Sequence, residues 1–171
     1  DHASLRWSAD GTRLAFSGAF GGVDIYDTVQ QQLVQRFDPP LVSPALSPDG
    51  SQVAMYDPEQ RMVVVFNVED GKERLGLAAS PTLMGAAFSP DGLYLVYGSG
   101  GQVLVAEVSS GRTLALDPSV TAPVSAEMEL CRAIWSPDGR ALATAFARPY
   151  DGNGPGVIVL WKRLADGGFQ S

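Results

Sequence analysis

A four-residue turn motif, Ser-x-Asp-Gly, occurs four times in this chain, and its spacing constrains the fold more than any other feature. The copies begin 39, 42 and 47 residues apart: Ser8–Gly11, Ser47–Gly50, Ser89–Gly92 and Ser136–Gly139. Proline presets the first turn dihedral, aspartate suits the next position, and glycine tolerates the left-handed conformation that rejoins two strands. Self-similarity at this period indicates a repeat architecture.

Each turn lies between two short apolar stretches, so each repeat opens with a β-hairpin. The first stretch of each hairpin ends in an apolar residue directly before the turn: Trp7, Leu46, Phe88 and Trp135. Runs of β-branched and aromatic residues predict a third strand per repeat, and polar turns followed by Glu73–Leu77 and Thr113–Leu116 predict a fourth. No apolar face recurs at helical spacing over three turns, so helices are not expected.

A single four-stranded unit cannot bury its own faces, whereas radial stacking of successive units does. We therefore predict an all-β fold, a β-propeller of about four consecutive four-stranded blades in one domain, residues 1–171. The repeats cover approximately residues 4–37, 42–77, 84–116 and 131–171. Trp7 and Trp135 hold matched positions and are expected to pack between blades.

The repeat resembles the WD-type and TolB-type propeller families, in which a strand ending in Trp-Ser-Pro-Asp-Gly opens each blade. The residues that carry the resemblance are Trp135-Ser136-Pro137-Asp138-Gly139-Arg140, Ile25-Tyr26-Asp27, Leu160-Trp161-Lys162 and the loop Tyr150-Asp151-Gly152-Asn153-Gly154. His2 is the only histidine, so the Gly-His pair of many WD blades is absent and the TolB-type resemblance fits better. That resemblance favours a periplasmic or other extracytoplasmic compartment over the cytoplasm.

Propellers of these families commonly close with six to eight blades, and this chain supplies four. The last repeat ends at Phe169-Gln170-Ser171, where an outermost strand is expected to begin, so we expect the fourth blade to lack that strand. Exposed strand edges and blade faces favour pairing with other chains. We therefore expect further propeller blades or a protein partner to complete the ring.

The residue types and spacings that catalysis or metal binding needs are missing. There is no Gly-x-Ser-x-Gly elbow, no His or Cys pair and no phosphate-binding loop with lysine. The turn aspartates Asp10, Asp49, Asp91 and Asp138 are expected to bond turn backbone. The segment 151–156 alternates oxygen ligands as calcium loops do, but a proline stands at its fifth position, which favours a plain loop. Cys131 is expected to be a buried, inert thiol. We predict no enzyme activity, cofactor or metal.

The net charge and the hydropathy of the chain argue against nucleic acid and membranes as its partners. A formal net charge of -7 repels nucleic acid and anionic lipid, and no apolar run approaches the roughly 18 residues of a membrane helix. With 45% hydrophobic residues, the chain has enough apolar material to build a core. Arginine outnumbers lysine ten to two, which hints at a GC-rich bacterial source.

Two long connections mark a candidate binding surface. Residues 117–130 link repeats three and four, and residues 148–156 interrupt repeat four, on the face opposite the Ser-x-Asp-Gly turns. Insertions beyond a repeat are more often functional than structural, although a longer solvated link is the alternative for 117–130. The predicted partner-binding residues are Pro123, Glu127, Met128, Glu129, Arg148, Tyr150 and Asn153.

The sequence thus predicts a non-catalytic propeller module for protein–protein interaction, an accessory subunit of a larger complex or part of a longer protein. One alternative is a gating propeller of a prolyl-oligopeptidase-like enzyme whose catalytic domain lies outside this chain. The other is a propeller that binds a glycan or small ligand in its central cavity.

Overall fold

The structure, a computed structural model, describes residues 4–18, 21–79, 86–99, 102–117, 129–147, 156–164 and 167–171. All regular structure in these residues is β-strand, and the strands form four antiparallel sheets of four strands each. The predicted all-β class and the four-stranded repeat are confirmed.

The four sheets follow the chain in order, and each is a simple meander in which neighbouring strands are consecutive. Sheet 1 contains β1 Ser4–Trp7, β2 Arg13–Ser17, β3 Val23–Asp27 and β4 Gln32–Phe37. Sheet 2 contains β5 Val42–Leu46, β6 Gln52–Asp57, β7 Met62–Asn67 and β8 Glu73–Ala78. Sheet 3 contains β9 Ala87–Phe88, β10 Tyr94–Ser99, β11 Gln102–Glu107 and β12 Thr113–Leu116. Sheet 4 contains β13 Glu129–Trp135, β14 Ala141–Ala147, β15 Val157–Arg163 and β16 Phe169–Gln170.

The fourth sheet has an outermost strand, which corrects the expectation that it lacks one. The two residues of β16 pair with Arg163 and Lys162 at the end of β15. Just before β16, the Gly167 N–H donates to the Leu164 carbonyl at 3.1 Å, and Gly167 has φ +84°. The Phe169 ring then packs 5.8 Å, centroid to centroid, from Trp135, which anchors the short strand.

The two faces of each sheet have different neighbours. We call the face that carries the residue before each Ser-x-Asp-Gly turn the leading face: Trp7, Leu46, Phe88 and Trp135 in sheets 1 to 4. We call the opposite face the trailing face, which the registers place at Ile25, Val65, Val105 and Leu160 in the same order. The trailing face of one sheet packs against the leading face of the next.

These contacts form three hydrophobic cores, one at each interface between consecutive sheets. The first interface buries Ala15, Val23, Ile25 and Phe37 against Leu46, Val53 and Met55. The second buries Tyr56, Val63, Val65 and Leu77 against Phe88, Leu95 and Tyr97. The third buries Val96, Val103, Val105 and Leu116 against Leu142, Phe146, Val159 and Trp161. Each sheet therefore depends on its neighbours for burial, as in other repeat architectures.

Candidate functional site

The four Ser-x-Asp-Gly turns share one hydrogen-bonded framework. In each, the glycine N–H donates to the serine carbonyl, and the glycine φ lies between +67° and +72°. Each aspartate accepts the serine hydroxyl at 2.5–2.7 Å and a backbone N–H two residues further on at 2.9–3.1 Å. The serine oxygen in turn accepts the N–H five residues further on at 2.9 Å. The turn aspartates shape hairpins, as predicted.

The same bonds lower the pKa of all four turn aspartates. For Asp10 and Asp138 the serine hydroxyl is the largest cause, followed by the backbone N–H. For Asp49 and Asp91 burial pushes the pKa upward, but the serine hydroxyl and the other donors outweigh it. A carboxyl whose pKa lies below its ordinary value remains ionised at neutral pH, which makes it a poor general acid.

The predicted partner-binding patch falls largely outside the described residues. Pro123, Glu127, Met128, Arg148, Tyr150 and Asn153 all lie outside them. Glu129 is described, and the expectation that it belongs to a loop is wrong, because it begins β13 and pairs with Ala147 of β14. Antiparallel pairing continues past the point where the apolar pattern weakens, with a bulge between Leu130 and Arg132.

The strand registers of sheet 4 place the ends of both long connections together. Segment 118–128 leads into Glu129, which pairs with Ala147, the residue that precedes segment 148–155. That second segment leads on to Val157, which pairs with Phe146. Both connections therefore join the same end of the same sheet, opposite the end that carries the Ser136–Gly139 turn.

The described residues also bear on the metal and membrane sites that the sequence could offer. Within the described ranges, no group of three or more His, Cys, Asp or Glu side chains is arranged to hold a metal ion. Residues 151–155 of the candidate calcium loop lie outside the described part of the chain. That this segment is a plain loop therefore stays a prediction. In the same described ranges, no helix is long and apolar enough to cross a membrane.

An open groove of about 570 Å³ lies beside the turns of sheets 2 and 3, lined in part by Asn67, Arg74, Tyr94 and Glu107. Two of its polar groups, the Asn67 amide and the Glu107 carboxylate, already have local partners. The Asn67 side-chain oxygen accepts two backbone N–H groups of its own turn, and the Glu107 carboxylate accepts the Ser110 hydroxyl at 2.6 Å. The groove follows from the shape of the second interface, and nothing in its chemistry singles out a ligand.

The most unusual surfaces are the two sheet faces that no other sheet covers, and exposed blade faces are what an incomplete ring is expected to have. Trp7 on the leading face of sheet 1 is 63% exposed, so the expectation that it packs between blades is wrong for this chain. Its counterpart Trp135 does pack at the third interface, where its indole N–H donates to the Ala87 carbonyl at 3.2 Å. On the trailing face of sheet 4, Ile158 is 71% and Leu160 67% exposed.

A signal for the sheet 4 face is present in the sequence. Residues 157–161 are apolar at five consecutive positions, a pattern typical of strands that are buried on both faces. The similar run Val63–Val65 of β7 is buried on both faces. In sheet 4 only one of the two faces is covered.

Four consecutive four-stranded meanders, packed trailing face to leading face, define the β-propeller class. No family model matches the chain. A solved structure, the β-propeller domain of Cps50 (Swd1) from Myceliophteria thermophila, is similar to it, with a TM-score of 0.64 and 16% sequence identity. The match covers 84% of this chain and 48% of that one, so the chain spans about half the length of that propeller. At this identity the likeness shows the fold alone.

Proposed function

We propose that this chain is a non-catalytic β-propeller module that binds a protein partner, as an accessory subunit or as part of a longer protein. The observation that carries the proposal is the register of sheet 4, where Glu129 pairs with Ala147 and Phe146 with Val157. This register supports one binding surface built from both long connections. Loops that exceed the repeat on a rigid sheet scaffold are where binding residues concentrate.

The proposed partner-binding residues are Pro123, Glu127, Met128, Glu129, Arg148, Tyr150 and Asn153. Arginine, tyrosine and methionine are enriched in protein interfaces, where long apolar stems or rings combine with polar ends. The net charge of -7 opposes nucleic acid and favours a partner with basic side chains. The proposal includes no cofactor and, following the TolB-type resemblance, an extracytoplasmic location.

The turn aspartates support a non-catalytic role for the opposite end of the sheets. Their carboxylates already accept two or more donors each, and their lowered pKa keeps them ionised. Changing them would disturb the hairpins, so any loss of function would come through folding. The binding experiment therefore avoids them.

The test compares the double variant Arg148→Ala/Tyr150→Ala with wild type and with Arg140→Ala. Arg140 is an exposed arginine of the same sheet at the opposite end, beside the Ser136–Gly139 turn, and serves as the matched control. Immobilised wild type and Arg140→Ala are expected to retain the same protein from an extract of the source cells, and the double variant to lose it. With that protein purified, titration calorimetry should show the double variant binding at least about tenfold more weakly, as expected for two interface anchors. Equal affinities with unchanged melting temperatures would exclude this surface.

A further inference from the structure

The leading face of sheet 1 differs from its counterparts in exposure but not in residue type. Trp7 is 63% exposed, whereas Leu46 and Phe88 at the equivalent positions are 8% and 9% exposed. Phe16 is also exposed, while its equivalents Met55, Tyr97 and Thr144 are buried. The cross-strand registers place Leu5, Trp7, Phe16 and Tyr26 on this one face. It is an unoccupied copy of the surface that receives a neighbouring sheet elsewhere in the chain.

The trailing face of sheet 4 shows the same contrast. Leu160 is 67% exposed, whereas Ile25, Val65 and Val105 at the equivalent positions are 0%, 0% and 3% exposed. Ile158 is exposed too, and its equivalents Val23, Val63 and Val103 are buried. Together with Ile134 and the alanines of β14, these side chains form the second uncovered apolar face.

The two uncovered faces are of opposite kind, one leading and one trailing. Every interface inside the chain joins one face of each kind. Had both uncovered faces been leading, they could not have met in this way. The end of sheet 4 and the beginning of sheet 1 are therefore the two halves of the same interface that the chain builds three times internally.

The packing of the turns also supports pairing the trailing face of sheet 4 with the leading face of sheet 1. At the second and third interfaces the turn glycine packs over the proline of the preceding turn: a Cβ built on Gly92 lies 3.7 Å from Pro48 Cδ, and one built on Gly139 lies 3.7 Å from Pro90 Cδ. At the first interface the turn glycine Gly50 packs against Arg13 and Ser8 of the preceding hairpin. Gly11 differs from the other three turn glycines, because a Cβ built on it would have no atom within 4 Å.

We propose that a second copy of this chain covers both faces, with the trailing face of sheet 4 of each copy packed on the leading face of sheet 1 of the other. Gly11 of one copy then lies over Pro137 of its partner, continuing the Gly–Pro series around the ring. Two copies supply eight sheets, which is within the range of closed propellers. Head-to-tail contacts of this kind form a closed ring when the rotation between copies completes a circle.

The surroundings of the two faces suit an interface. Asp24 and Arg36 border the leading face of sheet 1, paired with each other at 2.7 and 2.8 Å, and exposed Arg132 and Lys162 border the trailing face of sheet 4. An apolar centre with a charged rim is the usual anatomy of protein interfaces. Monomers rarely leave contiguous apolar patches of this kind uncovered. This self-association is independent of the partner proposed for the loops of sheet 4.

The first experiment measures the mass of the 171-residue chain by sedimentation equilibrium across a dilution series. We expect a single species at twice the chain mass of 18.1 kDa, dissociating on dilution. A monomer at every concentration would overturn the proposal. Species larger than two copies would exclude the closed pair.

The second experiment separates the proposed pairing from any other. Trp7→Asp destroys the leading half and Leu160→Asp the trailing half, and both positions are exposed, so the monomer should still fold, as circular dichroism would show. Each variant alone should be monomeric, because every interface needs both halves and a carboxylate cannot be buried there unpaired. An equimolar mixture should form a pair through the one intact interface that remains. A Leu160→Asp variant that still dimerises, or a mixture that stays monomeric, would refute head-to-tail packing.

The proposed function and the proposed self-association are tested independently, because each set of variants changes only one of the two surfaces. Loss of binding in Arg148→Ala/Tyr150→Ala with unchanged mass concerns only the loop surface. Loss of the dimer in Trp7→Asp with retained partner binding concerns only the sheet faces.

Discussion

The inner interfaces and the outer faces of this molecule are built from the same kinds of residues and differ only in whether a neighbouring sheet is present. Leu142 on the leading face of sheet 4 is fully buried, and Leu14 at the same position of sheet 1 is half-buried. The alternation that specifies a strand therefore does not decide burial. Burial is decided by stacking, and a sheet at the end of the series keeps the pattern of an inner one without its contacts.

This contrast has an energetic meaning. In a repeat array the stability is approximately a sum of terms for each unit and for each interface between neighbours. The same substitution at equivalent positions of two sheets should then lower the free energy of unfolding by different amounts, depending on whether one or both faces of the sheet are covered. The chain offers several matched pairs that measure this difference, and they are best measured at concentrations where the chain is monomeric.

The largest expected effect is at the leucine position on the leading face. Leu95→Ala should lower the free energy of unfolding by about 2–5 kcal/mol, because the side chain is fully buried at the second interface and leaves a cavity. Leu14→Ala, at the equivalent half-buried position of sheet 1, should cost at least about 1 kcal/mol less, since part of the side chain already contacts water. Urea unfolding of both variants checks the difference. Equal losses would mean that the sheet 1 face is covered even in the monomer.

The turn glycines provide the next contrast. Gly11→Ala and Gly50→Ala both place alanine at φ near +70°, which costs about 1–2 kcal/mol. At Gly50 the new Cβ would also lie 2.5 Å from Arg13 Cγ, so the first interface must shift, for about 1–2 kcal/mol more. At Gly11 no atom lies within 4 Å. Thermal and urea unfolding of the two variants should show the larger loss for Gly50→Ala; the reverse order would contradict the assigned stacking of turns.

A smaller effect is expected from the ion pair that crosses the third interface. Arg163 Nη1 donates to Asp91 Oδ2 at 2.7 Å, and the guanidinium lies 4.5 Å from the centre of the Tyr94 ring. A double-mutant cycle with Arg163→Gln and Asp91→Asn should give a coupling of about 0.5–1 kcal/mol, as expected for a partly exposed pair. The matched pair of the uncovered end, Arg140 and Asp138, is 4.0 Å apart and largely exposed, and should show no measurable coupling. Similar couplings in the two cycles would remove the distinction between interface and end.

These contrasts also show which parts of the molecule could be predicted from its sequence. The hairpins could be, because Ser89, Asp91 and Gly92 make their bonds within a few residues of one another. The exposure of Trp7 could not be predicted from β1, because β1 has the same pattern as its counterparts in the other sheets. No local pattern shows whether a neighbouring sheet covers it. The hydrogen bond from Arg163 to Asp91 joins residues 72 positions apart, and no sequence motif predicts it.

The candidate site was predictable only in outline. The lengths of the two long connections follow from the repeat spacing, and the shared end of sheet 4 follows from antiparallel order. The start of β13 at Glu129 was missed, because a glutamate at a strand end carries little strand propensity and the pairing with Ala147 is fixed by the neighbouring strand.

The smallest expected effect is on the titration of the turn carboxyls, and it separates the same two regions. Burial alone would raise the pKa of Asp91, but the Ser89 hydroxyl, Arg163 and the Leu93 N–H together hold it below the ordinary 3.8. Carbon-detected NMR titration should show the pKa of Asp91 moving upward in Arg163→Gln, while the pKa of Asp138, held down mainly by Ser136, stays unchanged. A carboxyl whose pKa is lower in the folded than in the unfolded chain stabilises the fold at pH values above its unfolded pKa. That stability is lost as the pH falls through its folded pKa. Wild type should therefore lose more unfolding free energy than Arg163→Gln between neutral pH and about pH 3. An equal loss in the two proteins would show that the third interface does not use this charge.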